Sequence, residues 1–368
     1  MLKYTKSIIS LFLISLVLLS CKTNKEVEVK NAINTNVKKP KNIILLIGDG
    51  MGLSQVSASQ FYNENPSNFE RFPVIGLNKT SSSSDVITDS AAGATAFASG
   101  VKTYNGAIGV TSDTLAVGTI VEQISPNGIS TGLIATSSIT HATPACFYAH
   151  VKSRSMQEEI ATFLVDSEVD FFAGGGLKFF NKREDGKDLT LELEQKGFEV
   201  SKDNLPKNIS DKKQAIFLSK GGMPTIEQGR GDFLPNATQL ALEYLSKNEE
   251  GFFLMVEGSQ IDWGGHDKDA DYLISELIDF DKTIGVALDF AASNGETLVI
   301  VTADHETGGF TLASDERGDY NNIQPVFSTD GHSATMVPVF SKGPGSENFG
   351  GIYENTAIYY KILSFFIE

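Results

Sequence analysis

The chain has 368 residues and a mass of 39.7 kDa, enough for one large domain or two small ones. Hydrophobic residues make up 41% of it and charged residues 21%, proportions that exclude a disordered, collagen-like or coiled-coil protein. The net charge of −16 excludes a general nucleic-acid-binding function, because phosphate backbones require a surface rich in lysine and arginine.

The N-terminus resembles a bacterial lipoprotein signal sequence. Lys3 and Lys6 precede an apolar run over residues 7–20, which leads into the sequence LLSC. We expect residues 1–20 to be removed and Cys21 to be lipidated, and we interpret residues 21–40 as a flexible tether. The protein would then be exported to the periplasm and tethered to a membrane, or soluble in the periplasm if Cys21 is not lipidated. Since Cys146 is the one cysteine left, we expect no internal disulfide.

Short apolar runs alternate with helical patterns from residue 41 to residue 368, which we interpret as one domain. We predict buried strands at residues 43–47, 129–135, 252–256 and 297–302. We predict helices at residues 90–99, 156–165, 237–247 and 269–292. Residues 181–220 are rich in charge and weakly periodic, and we interpret them as a surface excursion. The alternation predicts an α/β fold with a mainly parallel central sheet.

Acidic residues or histidines follow each of the four predicted strands. Asp49 follows the first strand, His141 the second after a short loop, Glu257 the third and Asp304 the fourth. Open α/β sheets bind ligands beyond the carboxyl ends of their strands. Unpaired carboxylates buried there would be costly, and a site for several metal ions satisfies all of them.

Several of these residues have spacings that suit a transition metal. Asp262 precedes His266 by four positions, and Asp304 is adjacent to His305. Together with His332, the two histidines lie in loops rich in aspartate and glycine. Mixed histidine and carboxylate ligands favour Zn²⁺ or a similar ion.

A second set offers oxygen alone. Asp49, Thr143 and Glu257 would favour Mg²⁺. The glycines of residues 48–52 also suggest a dinucleotide-binding loop, but Leu53 occupies the position of the third glycine. An aspartate inside that loop would repel a pyrophosphate, so the metal interpretation explains Asp49 better.

Ser90 is the candidate nucleophile. The small residues after it predict a closely packed helix whose N-terminus would attract an anion. No histidine base is evident, so a metal would have to ionise the hydroxyl. The alternative is that Ser90 is a simple helix N-cap. The Arg154 guanidinium could bind two phosphate oxygens, although an arginine in a charged stretch is commonly a surface residue.

Taken together, these segments resemble the alkaline phosphatase family, most closely its compact bacterial members. The resemblance rests on an ordered set of motifs over nearly the whole chain after residue 41. The motifs are residues 47–52 (IGDGMG), 88–96 (TDSAAGATA), 140–154 (THATPACFYAHVKSR), 172–176 (FAGGG), 257–266 (EGSQIDWGGH), 302–309 (TADHETGG) and 331–333 (GHS).

The resemblance implies a role for each motif residue. The fold would be a three-layer α/β sandwich, the active form a homodimer, and Ser90 the site of a phosphoserine intermediate. Arg154 would bind the phosphate and be held by Asp89. The metals would be two zinc ions and one magnesium ion per subunit: Asp262, His266 and His332 on one zinc, Asp49, Asp304 and His305 on the other, and Asp49, Thr143 and Glu257 on magnesium.

The chain departs from the enterobacterial pattern of this family at two positions. His141 replaces an aspartate and Trp263 replaces a lysine. Both residues should tune magnesium affinity and phosphate release without abolishing the chemistry.

The predicted activity is hydrolysis of a broad range of small phosphate monoesters. One alternative is a phosphodiesterase or nucleotide pyrophosphatase of the same superfamily, against which Ser90, Thr143 and Glu257 argue. A sulfatase is excluded because Ser90 is not followed by the required proline and arginine. The other alternative is a lipoprotein that binds metal or phosphate without catalysis.

Overall fold

The computed structural model describes residues 39–315 and 318–367. The predicted signal sequence, Cys21 and the predicted tether up to residue 38 lie outside the described residues. All described residues belong to one compact unit. Among the described helices, none has the length and apolar character needed to cross a bilayer.

The described residues form fourteen strands and eleven α-helices. The strands are β1 (Asn42–Gly48), β2 (Val74–Lys79), β3 (Ser130–Ser138), β4 (Phe171–Gly175), β5 (Phe198–Ser201), β6 (Lys213–Phe217), β7 (Phe252–Gly258), β8 (Thr297–Thr302), β9 (Glu306–Thr307), β10 (Phe310–Ser314), β11 (Ile323–Phe327), β12 (His332–Ser333), β13 (Val337–Lys342) and β14 (Gly351–Glu354). The helices are α1 (Leu53–Tyr62), α2 (Ser90–Ser99), α3 (Ile120–Ile124), α4 (Ala142–Ala145), α5 (Gln157–Asp166), α6 (Lys178–Asn181), α7 (Leu189–Gln195), α8 (Phe233–Leu245), α9 (Gln260–Asp267), α10 (Ala270–Asn294) and α11 (Thr356–Phe366).

Ten of the described strands form one central sheet, in the order β14-β2-β13-β8-β1-β7-β3-β4-β6-β5. Strand β13 runs antiparallel to both of its neighbours, and every other pair is parallel. The prediction of a mainly parallel sheet is therefore confirmed. Two small sheets, β10-β11 and β9-β12, lie outside it.

Helices cover both faces of the sheet, so the central strands are apolar on both sides. In β1, Ile43, Leu45 and Ile47 pack into one hydrophobic cluster, and Ile44 and Leu46 pack into another. Helices α2, α5 and α11 contribute to the first cluster, whereas α1, α8 and α10 contribute to the second. Each fully buried leucine or isoleucine side chain contributes roughly 1.5–3 kcal/mol. The arrangement is the predicted three-layer α/β sandwich.

The predicted elements match the structure closely in the centre of the chain. The four predicted strands are β1, β3, β7 and β8, and the four predicted helices are α2, α5, α8 and α10, with end shifts of a few residues. The interpretation of residues 181–220 as a surface excursion was wrong. This segment supplies β5 and β6, which extend the central sheet at one edge. Both strands are short and flanked by charged residues, so neither has the long apolar run of the central strands.

Candidate active site

The parallel register of the central strands brings three acidic segments to one edge of the sheet. Ile47 of β1 lies level with Glu257 of β7 on one side and with Thr302 of β8 on the other. Asp49 and Asp304 lie just past the ends of β1 and β8, and Asp49 falls within one group of potential metal ligands with Glu257 and within another with Asp304. The sequence prediction of a cluster at the carboxyl ends of these strands is confirmed.

Helix α2 begins at this edge with Ser90. Its cap is Asp89, whose Oδ1 accepts a hydrogen bond from the Ala92 N–H at 3.0 Å. The alternative interpretation of Ser90 as the N-cap was therefore wrong. Ser90 is buried, and its Oγ lies 3.4 Å from Asp49 Oδ1 and 3.2 Å from His305 Nε2.

The small residues of α2 allow it to approach the acidic edge closely. A Cβ at Gly93 would come within 3.0 Å of the Asp304 Cβ, which is tighter than ordinary contact. All ten residues of the helix are buried. A larger residue at position 93 would therefore require either α2 or Asp304 to shift.

The first candidate metal group consists of Asp262, His266 and His332. The two Nε2 atoms are 3.1 Å apart, and they lie 3.4 and 3.5 Å from Asp262 Oδ1. Each histidine directs Nδ1 at a backbone carbonyl, that of Asp330 for His266 and that of Thr88 for His332. The Nδ1 atoms therefore carry the protons, and two Nε2 lone pairs converge with a carboxylate. Such a convergence of acceptors fits a cation.

The second candidate group is Asp49, Asp304 and His305, all fully buried. Asp304 Oδ1 accepts hydrogen bonds from the Gly50 and His305 N–H groups, but Asp49 Oδ2 and Asp304 Oδ2 have no hydrogen-bond partner among the described residues. Burial and the neighbouring carboxylates raise the pKa of Asp49 well above its usual value. Burial also lowers the pKa of His305 to about 3, so the imidazole is neutral.

The third candidate group is Asp49, Glu257 and His141, with Thr143 beside it in α4. Ser259 donates to Glu257 Oε2 at 2.6 Å, whereas Glu257 Oε1, Thr143 Oγ1 and His141 Nδ1 have no partner in the described part of the chain. Burial raises the pKa of Glu257 to about 7, and burial together with Arg154 lowers the pKa of His141 to about 3.

Arg154 is held beside Ser90 by two contacts. Its Nη1 donates to Asp89 Oδ2 at 3.1 Å, and its Nη2 lies 3.2 Å from His141 Nε2. The predicted pairing of Arg154 with Asp89 is thus present. The edge of the His141 ring faces Trp263 at a centroid distance of 5.9 Å.

The charge balance of the site favours cations. The three groups contain the carboxylates of Asp49, Glu257, Asp262 and Asp304, whereas the nearby Arg154 is paired with Asp89. Three buried oxygens of these carboxylates, Asp49 Oδ2, Glu257 Oε1 and Asp304 Oδ2, have no hydrogen-bond partner in the described residues. Burying uncompensated carboxylates costs several kcal/mol each. The oxygen and imidazole donor sets fit bound metal ions, with histidine in all three groups.

Sequence reasoning missed two residues that support these groups. Ser259 orients Glu257, and Thr307 contacts both Asp262 and His305. Both residues fall inside the motifs 257–266 and 302–309, but a serine or threonine carries no spacing signal of its own. Their roles require knowledge of which distant side chains they meet.

A mainly parallel sheet with three potential metal groups and a buried serine at its edge defines a metal-binding hydrolase. The alkaline phosphatase family model matches residues 40–328. The chain is 36% identical over 337 residues to alkaline phosphatase 4 of Bacillus subtilis, covering 86% of this chain and 72% of the relative. The chain therefore belongs to the alkaline phosphatase family and is a phosphatase.

Solved structures agree with this assignment. The alkaline phosphatase of the Antarctic bacterium TAB5 superposes with a TM-score of 0.88 at 55% identity, covering 90% of this chain and 100% of the other. A variant of the TAB5 enzyme with one histidine replaced by aspartate has magnesium bound in its M3 site. That variant superposes with a TM-score of 0.87 at 54% identity, covering 90% of this chain and 99% of the other.

Proposed function

We propose that this phosphatase hydrolyses small phosphate monoesters to an alcohol and inorganic phosphate through a phosphoserine at Ser90. The observation that carries the proposal is the position of Ser90 Oγ, within 3.4 Å of Asp49 Oδ1 and 3.2 Å of His305 Nε2. A hydroxyl at the start of a helix, between two potential metal ligands, is poised to lose its proton and attack phosphorus.

Three metal ions per subunit complete the proposal, two zinc and one magnesium. Asp262, His266 and His332 would hold one zinc, and Asp49, Asp304 and His305 the other. Asp49, Thr143 and Glu257 would hold magnesium, with His141 beside them. When bound, the ions supply positive charge that offsets the phosphate dianion and lowers the pKa of bound hydroxyl groups. The magnesium reported for the histidine-to-aspartate variant of the TAB5 enzyme supports a magnesium site in this fold.

The residues of the chain itself bind and orient the substrate. The Arg154 guanidinium, fixed by Asp89 and His141, would bind two phosphate oxygens. Ser90 loses its hydroxyl proton and its Oγ forms a bond to phosphorus as the bond to the leaving oxygen breaks, and the leaving oxygen takes up a proton to become the alcohol. Water attacks the phosphoserine from the opposite side, which releases phosphate and restores the serine. The His266 side chain is 40% exposed, so the first candidate metal group is open to solvent on this side. The leaving alcohol would leave the site past this group.

The decisive experiment compares p-nitrophenyl phosphate with bis(p-nitrophenyl) phosphate at alkaline pH. The protein is assayed after metal removal and after return of Zn²⁺ and Mg²⁺. We expect strong, metal-restored turnover of the monoester and little of the diester. Ser90→Ala should lower turnover by on the order of 10³-fold or more while still binding metal.

The matched control is Ser99→Ala, because Ser99 is a buried serine at the other end of α2 whose hydroxyl has no hydrogen-bond partner in the described structure. That variant should retain turnover. A preference for the diester would instead assign the protein to the phosphodiesterases. The proposal would be contradicted if Ser90→Ala kept full activity toward both substrates. It would also be contradicted if the metal-loaded wild type turned over neither substrate.

We also infer that the protein is an exported lipoprotein anchored through Cys21 and that it acts as a homodimer. The N-terminal sequence supports the first inference, and the family resemblance supports the second. Labelled palmitate should enter the wild type but not Cys21→Ser; incorporation into both would contradict lipidation at Cys21. Sedimentation of the domain of residues 41–368 at the mass of one subunit would contradict the dimer.

A further inference from the structure

Thr307 joins the first candidate metal group to the second through one hydroxyl. The residue is fully buried in β9. Its Oγ1 lies 2.5 Å from Asp262 Oδ1 and 3.2 Å from His305 Nδ1. Asp262 belongs to the first group and His305 to the second, so a single side chain contacts a ligand of each.

The direction of these two hydrogen bonds follows from counting protons. A threonine hydroxyl has one proton to donate and can also accept, whereas a carboxylate accepts only. The short contact with Asp262 takes the hydroxyl proton. His305 Nδ1 must then donate its own proton to Thr307 Oγ1.

This assignment fixes the other side of the His305 ring. An imidazole that binds a metal carries one proton, so with that proton on Nδ1 the Nε2 atom offers its lone pair. That lone pair faces Ser90 Oγ at 3.2 Å and lies 3.4 Å from Asp304 Oδ2 and 3.5 Å from Asp49 Oδ1. In the other tautomer an Nε2–H would point at the metal position and prevent ligation.

We propose that Thr307 is a positioning residue that holds His305 in its metal-ligating tautomer and links it to Asp262. One hydroxyl group thereby orients a ligand of each of the two proposed zinc sites. The inference rests on the proposed function, because it concerns the residues assigned there to zinc. It adds a residue that contacts neither substrate nor metal in that assignment.

The surrounding backbone keeps the hydroxyl in place. The Thr307 N–H donates to the Gly50 carbonyl at 3.0 Å, and the Thr307 carbonyl accepts from Gln55 Nε2 at 2.9 Å. The methyl group packs against Gly265, where an added Cβ would come within 2.9 Å of Thr307 Cγ2. The side chain is therefore fixed by contacts on both its polar and its apolar branch.

Two substitutions separate those branches. Thr307→Val keeps the shape and removes the hydroxyl, whereas Thr307→Ser keeps the hydroxyl and removes the methyl. Zinc affinity is measured by titrating the metal-free protein with Zn²⁺ against a chromophoric chelator. We expect Thr307→Val to lose about 10–100-fold in zinc affinity, the usual effect of removing a group that orients a metal ligand. Thr307→Ser should stay close to the wild type.

The outcomes distinguish this inference from the proposed function. If the wild type took up no zinc, the proposed function would fail and this inference with it. If the wild type bound zinc and Thr307→Val bound it equally well, the inference alone would be wrong. Equal losses in both variants would assign the effect to packing against Gly265 and would also overturn the inference.

A second measurement does not depend on the folding of a variant. In zinc-loaded wild type labelled with ¹⁵N-histidine, the His305 signal should report a proton on Nδ1. A proton on Nε2 would overturn the inference whatever the affinities show.

Discussion

At the scale of single residues, Asp89 combines the expected contact with Arg154 and a helix cap that the sequence analysis did not assign to it. One carboxylate oxygen caps α2 by accepting from the Ala92 N–H, and the other accepts from Arg154. The residue that fixes the start of the helix carrying Ser90 therefore also fixes the arginine beside it. The proposed nucleophile and the proposed phosphate-binding group are thus positioned by one side chain.

Arg154→Ala should weaken inhibition by inorganic phosphate. Hydrogen bonds to charged groups contribute about 1.5–3 kcal/mol, so the inhibition constant should rise by roughly 10–100-fold. The measurement is the inhibition constant of phosphate against p-nitrophenyl phosphate. Arg71→Ala is the control, because Arg71 forms a surface ion pair with the exposed Asp289. Unchanged inhibition in Arg154→Ala would remove Arg154 from the site.

At the scale of elements, helix α10 binds the segment of residues 224–230, which precedes α8. Its Glu276 and Asp279 both bond to the guanidinium of Arg230, and all three side chains are buried. Arg230 also donates to the Pro224 carbonyl, and the Ile226 N–H donates to Glu276. Two buried carboxylates thus share one arginine, and burial raises the pKa of Asp279 to about 6 despite Arg230 and Lys282.

This cluster should make stability depend on pH. Between about pH 4 and pH 6 the folded protein keeps a proton on Asp279 that the unfolded chain has lost, so stability falls as pH rises through this window. The shift corresponds to roughly 3 kcal/mol at most. Asp279→Asn mimics the neutral form and should remove this part of the decline.

The measurement is urea unfolding of wild type and Asp279→Asn at pH 4.5 and pH 7. The variant should gain stability relative to wild type at the higher pH. Asp289→Asn, an exposed position in the same helix, controls for the amide substitution. An Asp279→Asn difference that is the same at both pH values would show that the pKa of Asp279 is not raised.

At the scale of the whole molecule, strand order concentrates negative charge at one edge of the sheet. Strands β8, β1 and β7 are neighbours, and their ends deliver Asp304, Asp49 and Glu257 to one place. The same three strands form the centre of the hydrophobic core. Metal binding should therefore stabilise the entire domain.

Removal of metal by a chelator should lower the Tm of the protein. A cation present at 1,000 times its Kd stabilises the folded state by about 4 kcal/mol, which corresponds to roughly 6 °C in a domain of this size. Calorimetry with and without chelator measures the shift, and chelator saturated with zinc is the control. A Tm that does not change on chelation would contradict metal binding at these groups.

The sequence by itself determined the class of fold and most of the candidate site. Continuous apolar runs identify strands buried on both faces, and the acids after them identify the ligand edge, because both signals are local. The sequence did not predict the strands within residues 181–220. Strands β5 and β6 are short, lack such an apolar run and join the sheet through long-range pairing. The ordered motifs, and the family they define, were also readable without coordinates.

The tertiary structure alone decided how distant residues meet. His332 stacks on His305 with ring centroids 3.6 Å apart because β12 pairs with β9, two strands of two residues each. Thr307 links Asp262 to His305 because β9 packs against α9, the helix that carries Asp262. Strands this short carry no periodicity, and the partner of a hydroxyl group depends on chain folding, so the sequence pattern holds no record of either contact.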